Sequence, residues 1–150
     1  MHINDEHLYH GAALTQIAEH PNFTAINASV NGAGVKYASE PNKSYGEYVF
    51  TFRTDHLADL DELETRCPNV LAIFVCVQDR VICALSLHDL RQHISRRRTA
   101  RGAPEPHYQL LVTAPAGQQL RGYMNQPGKR KVALPEQLVA RNGFPDIIFQ

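Results

Sequence analysis

The sequence predicts a single α/β (α+β) domain with a mixed central β-sheet flanked by helices. Segments whose apolar residues recur with the helical period alternate with short apolar segments typical of strands. The chain has 150 residues, of which 43% are hydrophobic and 20% are charged, so it can bury the core of one globular domain. The predicted order of elements is αβββαββα, followed by a small β-rich C-terminal part.

The first predicted element is a helix over residues 5–20. Asn4 is suited to cap it, and its acidic first turn favours the positive end of the helix dipole. Pro21 ends the helix because proline lacks the amide hydrogen that the next turn needs. One face carries four residues that we expect to pack on the sheet, namely His10, Ala13, Leu14 and Ile17.

A β-hairpin is predicted next, with strands at 23–30 and 34–39. Asn31-Gly32 between them is the pair best suited to the two positive φ angles of a type I′ turn. Counting outward from that turn pairs Asn27 with Lys36. We therefore expect Lys36 to lie on a strand of the sheet.

A third strand and a second helix follow the hairpin. Three aromatic residues alternate with other residue types, which is typical of a strand with one strongly buried face: Tyr48, Phe50 and Phe52. Thr54 or Asp55 is suited to cap the helix, and Pro68 ends it. An apolar stripe runs along this helix, while its acidic residues face water.

The centre of the predicted sheet is a pair of continuous apolar strands at 71–77 and 81–87. Their lack of alternation indicates burial on both faces. Ser86 is suited to cap a third helix at 87–97. The basic last turn of that helix matches the negative end of its dipole, which gives the arginines there a structural role as well.

A linker-like composition after residue 98 divides the chain into a core domain at 1–98 and a β-rich extension at 99–150. The extension is too small to fold independently, so we expect it to pack on the core. Pro135 is expected to begin a short helix there. The extension also has two predicted strands, at 108–113 and 120–124.

Charge is divided unevenly along the chain, although its total is zero. Residues 1–90 carry 5 Lys+Arg and 12 Asp+Glu, while residues 91–150 carry 10 and 3. Two basic clusters are candidate contacts for the phosphates of a nucleic acid: Arg96, Arg97, Arg98 and Arg101, then Lys129, Arg130 and Lys131. Tyr108 or Tyr123 is expected to be available for stacking on bases. Alternatively, acidic residues neutralise both clusters within the fold.

The order of helix, three strands, helix and strand resembles that of restriction-endonuclease-like, PD-(D/E)XK, proteins over roughly residues 5–87. In that family, carboxylates on two central strands hold a divalent metal, and a lysine two residues after the second stabilises charge. Lys36 matches that lysine, but Gly34 and Asn27 stand at the positions of the acidic residues. The resemblance implies a degenerate motif whose remaining catalytic candidates are Lys36, Glu19 and Glu40.

Histidine is a second source of metal ligands, since the chain contains 8 histidines. His7 and His10 lie three residues apart on the first predicted helix, a spacing that brings two imidazoles to neighbouring positions. No third ligand is fixed by spacing, and a hydrogen-bonded core histidine is the favoured interpretation of His10. The histidines of the later helices are expected on helix surfaces: His56, His88 and His93. No cofactor is predicted, and Mg²⁺ is expected only for a nuclease.

Cysteine usage and hydropathy predict the compartment. The three cysteines form no CxxC motif, which predicts reduced, mostly buried thiols: Cys67, Cys76 and Cys83. The N-terminal residues lack the pattern of a secretory signal, and the longest apolar run is too short to span a bilayer. We therefore expect a cytoplasmic protein without a membrane partner.

Three functions remain open at this point. The favoured one is a non-catalytic, nucleic-acid-associated role in which the basic clusters bind the phosphate backbone without sequence-specific readout. The alternative is a protein-interaction or self-assembling domain, in which the acidic second helix meets the basic C-terminal part of a protein partner or of a second copy. The third is a divergent metal-dependent nuclease.

Overall fold

Residues 5–19 and 31–149, which the computed structural model describes, form three α-helices and seven strands. The helices are α1 (Asp5–Ala18), α2 (Thr54–Arg66) and α3 (Leu87–Arg101), with a 3₁₀ helix at Asp146–Phe149. The strands are β1 (Asn31–Ala38), β2 (Tyr48–Arg53), β3 (Asn69–Cys76), β4 (Val81–Ser86), β5 (His107–Thr113), β6 (Leu120–Tyr123) and β7 (Gln137–Val139). The predicted α+β class is confirmed.

The strands are divided between two sheets, which corrects the expectation of one central sheet. The first sheet has the order β1-β3-β4, with β1 parallel and β4 antiparallel to β3. The second sheet is antiparallel, with the order β2-β5-β6-β7. Strand β2 pairs with β5 because both strands carry alternating large side chains on one face, which places Phe50 opposite Leu110.

The predicted hairpin turn at Asn31-Gly32 is wrong. Both residues belong to β1, where they pair in parallel with Asn69 and Val70 of β3. Pairing with a central, buried strand overrides the local turn preference of this dipeptide. The predicted strand at 23–30, including Asn27, lies outside the described residues.

Two glycines of β1 allow α2 to pack closely on the strand. A Cβ on Gly32 would lie 2.8 Å from Cγ of Leu63, and one on Gly34 would lie 2.7 Å from Cδ2 of Leu60. Larger residues at these positions would push α2 away from β1. The close approach fixes the position of α2 relative to Lys36, which lies on β1 as predicted.

The main core lies between the two sheets and is closed by α2 and α3. Phe74 of β3 is fully buried, and its ring centroid lies 4.8 Å from that of Phe50 and 5.8 Å from that of Phe52. The alternation predicted for β2 is confirmed, since its aromatic residues are the buried ones. Phe74 therefore connects the first sheet to the second.

A second, smaller core covers the other face of the first sheet. Ala13 of α1 and Phe144 near the C-terminus pack there with Ile73. Leu14 is 62% exposed, so the apolar face of α1 is narrower than predicted. In the described part of α1, Ala13 and Ile17 make the contact with the sheet.

The ends of the later helices set the geometry of the basic residues. Arg53, rather than Thr54 or Asp55, is the N-cap of α2.

Ser86 caps α3 as predicted, with Oγ accepting a hydrogen bond from Asp89 N at 3.0 Å. Helix α3 continues to Arg101 and ends at Gly102, whose φ of 82° is the left-handed conformation of a helix C-terminus. The predicted boundary after residue 98 thus falls inside α3.

The C-terminal part adds three strands to β2. Strands β5 and β6 lie close to their predicted positions. The helix predicted from Pro135 is wrong, because β7 forms there and pairs with the edge of β6, with Val139 opposite Leu120. Among the described helices, none has both the length and the apolar content needed to cross a membrane.

Candidate functional site

The arginine run on α3 divides into two environments, because successive helical residues point in different directions. Arg96 and Arg98 are exposed. Arg97 turns inward, and its Nε and Nη2 donate to the two carboxylate oxygens of Glu105 at 2.7 and 3.1 Å. Its Nη1 donates to the backbone oxygen of Asn125 at 2.6 Å. Arg97 is therefore held by contacts within the fold, unlike its two exposed neighbours, and its role as a phosphate contact stays a prediction.

Glu105 is the carboxylate that organises this end of α3. Its side chain is 10% exposed, and Arg101 Nη1 lies 3.5 Å from its Oε2. The hydrogen bonds from the Arg97 guanidinium hold the pKa of Glu105 below its usual range. Arg101 itself remains half-exposed, so it can still meet a second anion.

The second basic cluster lies on the segment 125–133, which we call the basic loop. Asn125 and Ala133 form a β-bridge at its base, and Gln126 N donates to the backbone oxygen of Val132 at 2.7 Å. The Lys131 ammonium lies 4.7 Å from the ring centroid of Tyr45. The side chains of the cluster are exposed: Lys129, Arg130 and Lys131.

The acidic helix α2 is partly neutralised within its own chain, but not by either cluster. Arg91 donates to Glu64 at 3.0 Å and to Asp61 at 2.5 Å. Among the residues that the structure describes, no carboxylate forms an ion pair with the following cations: Arg96, Arg98, Lys129 and Arg130. The acidic residues thus neutralise the two basic clusters only in part, although the net charge of the chain is zero.

The two tyrosines predicted to stack on bases are buried. Tyr108 is 6% and Tyr123 is 9% exposed, so neither ring offers a free face. The Tyr108 hydroxyl accepts a hydrogen bond from Glu105 N, and the Tyr123 hydroxyl donates to the buried Glu47 carboxylate. Burial, followed by that bond to Glu47, raises the pKa of Tyr123. The exposed aromatic residue beside the basic loop is Tyr45, which the sequence analysis missed.

Lys36, the candidate catalytic lysine, lies in a groove between β1 and α2. Its Nζ is 3.1 Å from Nδ1 of His56 and 4.9 Å from the ring centroid of Phe52. Glu19 and Glu40 are exposed and are not among the described residues that line the groove. The carboxylates predicted to act with Lys36 are therefore not seen beside it in the described part of the chain.

Metal ligation has no described cluster to support it. Among the side chains that the structure describes, which begin at residue 11 in α1, no group of three or more His, Cys, Asp or Glu is placed to hold a metal ion. His7 and His10 lie in α1, but in the part of that helix whose side chains fall outside the description. The histidine site and the nuclease hypothesis both stay predictions.

His93, predicted on the helix surface, is 2% exposed. Its Nε2–H donates to Oε1 of Gln137 at 3.0 Å, and Nε2 of Gln137 donates to Oδ2 of Asp89 at 2.8 Å. This chain of hydrogen bonds joins α3 to β7. Burial lowers the pKa of His93, and the nearby Arg96 acts in the same direction, against the opposing effects of Gln137 and Asp89.

We expect the free energy of unfolding to decrease as the pH falls from 7 to 5. In the unfolded chain His93 binds a proton near pH 6.5, whereas in the folded chain it does so only at a lower pH. The contribution of His93 to stability is therefore fully present above about pH 6.5. Below that pH it declines by at most about 1.4 kcal/mol per pH unit. Urea titrations across this range should show a smaller decline for His93→Gln than for wild type. His88→Gln, an exposed control on the same helix, should keep the wild-type slope. Equal slopes for His93→Gln and wild type would refute the assignment.

The cysteines offer no reactive thiol in the core. Cys76 and Cys83 are buried, and all three cysteines are free. Burial raises the pKa of the Cys83 thiol to about 12 and also raises that of Cys76. These two thiols pack as small apolar side chains, as predicted.

The chain was compared with family models, with curated proteins and with solved structures, and no match was found.

Proposed function

We propose that this protein associates with nucleic acid through contacts to the phosphate backbone. The observation that carries the proposal is the hydrogen bond from Arg97 to Asn125 O. It ties the basic end of α3 to the base of the basic loop, so two clusters distant in sequence belong to one connected unit. We call this unit the basic surface; its exposed cations are Arg96, Arg98, Arg101, Lys129, Arg130 and Lys131.

The charge balance of the basic surface supports the proposal. Glu105 is the carboxylate that lies within the basic surface, and it already forms ion pairs with Arg97 and Arg101. Two carboxylates of α2, Asp61 and Glu64, pair with Arg91 instead. Cations that lack a neighbouring carboxylate gain more from a polyanion, because binding releases the counterions condensed on its phosphates.

Binding is expected to depend on the backbone and not on sequence. The cations of the basic surface lie at the end of a helix and on a loop, and the sequence has no zinc-finger or helix-turn-helix motif. Lysine and arginine contacts to phosphates carry no base information. Oligonucleotides of different sequence but equal length should therefore bind with similar affinity.

A salt series with four charge-removing substitutions tests the proposal. The quadruple variant Arg96→Gln, Arg98→Gln, Lys129→Gln, Arg130→Gln leaves out Arg97, Arg101 and Lys131, which make contacts within the fold. Fluorescence anisotropy with labelled duplex and single-stranded oligonucleotides should show affinity falling with salt in wild type. The variant should bind about 10- to 100-fold more weakly, with a salt slope shallower by up to about 4 on duplexes and about 3 on single strands.

A double variant outside the basic surface tests whether the position of the removed cations matters, and not only the loss of positive charge. Arg66→Gln and Arg80→Gln remove exposed cations on other elements, at the end of α2 and in the turn between β3 and β4. This variant should bind like wild type, and melting temperatures should show that every protein is folded. Equal affinity of wild type and quadruple variant, or absence of binding at low salt, would rule out the basic surface.

A further inference from the structure

We propose that Tyr45 stacks on an unpaired base, which makes the basic surface a binding site for single-stranded nucleic acid. The inference rests on the proposed function, because the cations of the basic surface supply the contacts to phosphates beside the ring. It adds a contact to the bases themselves. Three observations carry it: the exposure of Tyr45, its contact with Lys131, and the hydrogen bonds that hold its loop against the basic loop.

Tyr45 combines an open aromatic side chain with neighbouring cations. It is 37% exposed, and the Lys131 ammonium lies over its ring at 4.7 Å from the centroid. Lys43, which is also exposed, stands two residues earlier in the same loop. Sites for single strands combine aromatic rings that stack on bases with cations that follow the phosphates. The surroundings of Tyr45 have both components.

The loop at 39–47 holds Tyr45 in place before a ligand arrives. Oδ1 of Asn42 accepts hydrogen bonds from Tyr45 N at 3.0 Å and from Glu47 N at 3.1 Å, and Gly46 N donates to Asn42 O at 3.0 Å. The Tyr123 hydroxyl, at the end of β6 just before the basic loop, donates to the Glu47 carboxylate. Because the loop is already ordered, a base that stacks on Tyr45 loses little affinity to ordering the protein.

The charge around the ring favours the phosphates that accompany a stacked base. Among the ion pairs of the described residues, none joins Lys131 to a carboxylate. Glu47, the acidic residue closest to Tyr45 in the sequence, is 4% exposed, and its carboxylate accepts hydrogen bonds from Asn42 and Tyr123. The exposed Lys131 side chain can therefore contact a phosphate while its ammonium lies over the ring.

Stacking on Tyr45 requires a single strand. In a duplex both faces of each internal base are covered by its neighbours, so the ring cannot reach them. In a single strand a base can leave its neighbours and place one face on the ring. Every base has such a face, so this contact does not read the sequence, in agreement with the binding expected of the basic surface.

The test compares two labelled single strands of equal length and charge, one with bases and one built entirely of abasic residues. Fluorescence anisotropy at low salt should show wild type binding the strand with bases about 5- to 10-fold more tightly. Tyr45→Leu keeps an apolar side chain but removes the ring, so it should bind both strands with the same Kd. Tyr45→Phe retains the ring and should retain the wild-type preference.

Two controls separate stacking from other effects of the substitution. Tyr37→Leu, the same change at a similarly exposed tyrosine of β1, should keep the wild-type preference. Tyr45→Leu should bind a duplex of the same length as tightly as wild type does, and its melting temperature should show that it is folded.

The inference is overturned if wild type binds the two single strands equally, or if Tyr45→Leu keeps the preference for bases. In both cases the salt-dependent binding of a duplex, and its weakening in the quadruple variant, would leave the proposed function standing. If wild type binds neither a single strand nor a duplex at low salt, the proposed function fails and this inference fails with it.

Discussion

Replacing Phe74 with alanine should lower the free energy of unfolding by about 3–5 kcal/mol. Phe74 is fully buried on β3, and its ring contacts Phe50 and Phe52 of β2. Removing the ring leaves a cavity at the junction of the two sheets. The surrounding strands cannot collapse into it without breaking their own ladders, so both the transfer free energy and the contacts are lost.

Urea denaturation followed by circular dichroism measures this loss as a shift of the midpoint at constant slope. Phe74→Leu retains most of the volume and should cost less than half as much. Val49→Ala is the control on β2, because Val49 is 36% exposed on the opposite face and should change stability by less than about 0.5 kcal/mol. Equal effects of Phe74→Ala and Val49→Ala would contradict the role given to Phe74.

Replacing Arg97 with methionine should cost about 2 kcal/mol. The change keeps the apolar stem but removes the hydrogen bonds to Glu105 and to Asn125 O. Glu105 then loses the partner that lowers its pKa, and its carboxylate remains 10% exposed. The stabilisation is present above the usual carboxyl pKa and is lost as the pH falls through the lower folded value.

A double-mutant cycle of Arg97→Met with Glu105→Gln, measured at pH 7 and again near pH 3, isolates the pair. We expect a coupling of about 1–2 kcal/mol at pH 7 and a smaller one at low pH. Arg98→Met is the matched control, since Arg98 is the exposed neighbour on the same helix. If Arg97→Met and Arg98→Met destabilise equally, Arg97 is not the structural arginine of the run.

Much of the fold is predictable from local patterns, but the pairing of strands is not. Continuous apolar residues predict β3 and β4, and Ser86 predicts the start of α3, because these signals act within a few residues. The alternation in β2 shows that one face is buried, yet it does not tell which strand lies beside it. At Asn31-Gly32, a strong local signal was overridden by pairing with β3.

The contacts of the site residues are likewise not predictable from local sequence patterns alone. Three consecutive arginines look equivalent in the sequence, and only the position of Glu105 in space distinguishes Arg97 from its neighbours. The burial of His93 was predictable, because it follows Leu90 by three residues on the buried side of α3. The contact between Lys36 and His56 depends on how α2 packs on β1, so no local pattern predicts it.

The pairing of β2 with β5 also affects the order in which the chain can assemble during synthesis. β2 leaves the ribosome before β5 exists, so its backbone edge has no ladder partner at a stage when β1, β3 and β4 can already pair. The ladder between β2 and β5 must then close a long loop, which is entropically costly and slow. Nascent chains that stop before His107 therefore leave the backbone edge of β2 unpaired, which exposes it to pairing with other chains until β5 has been made.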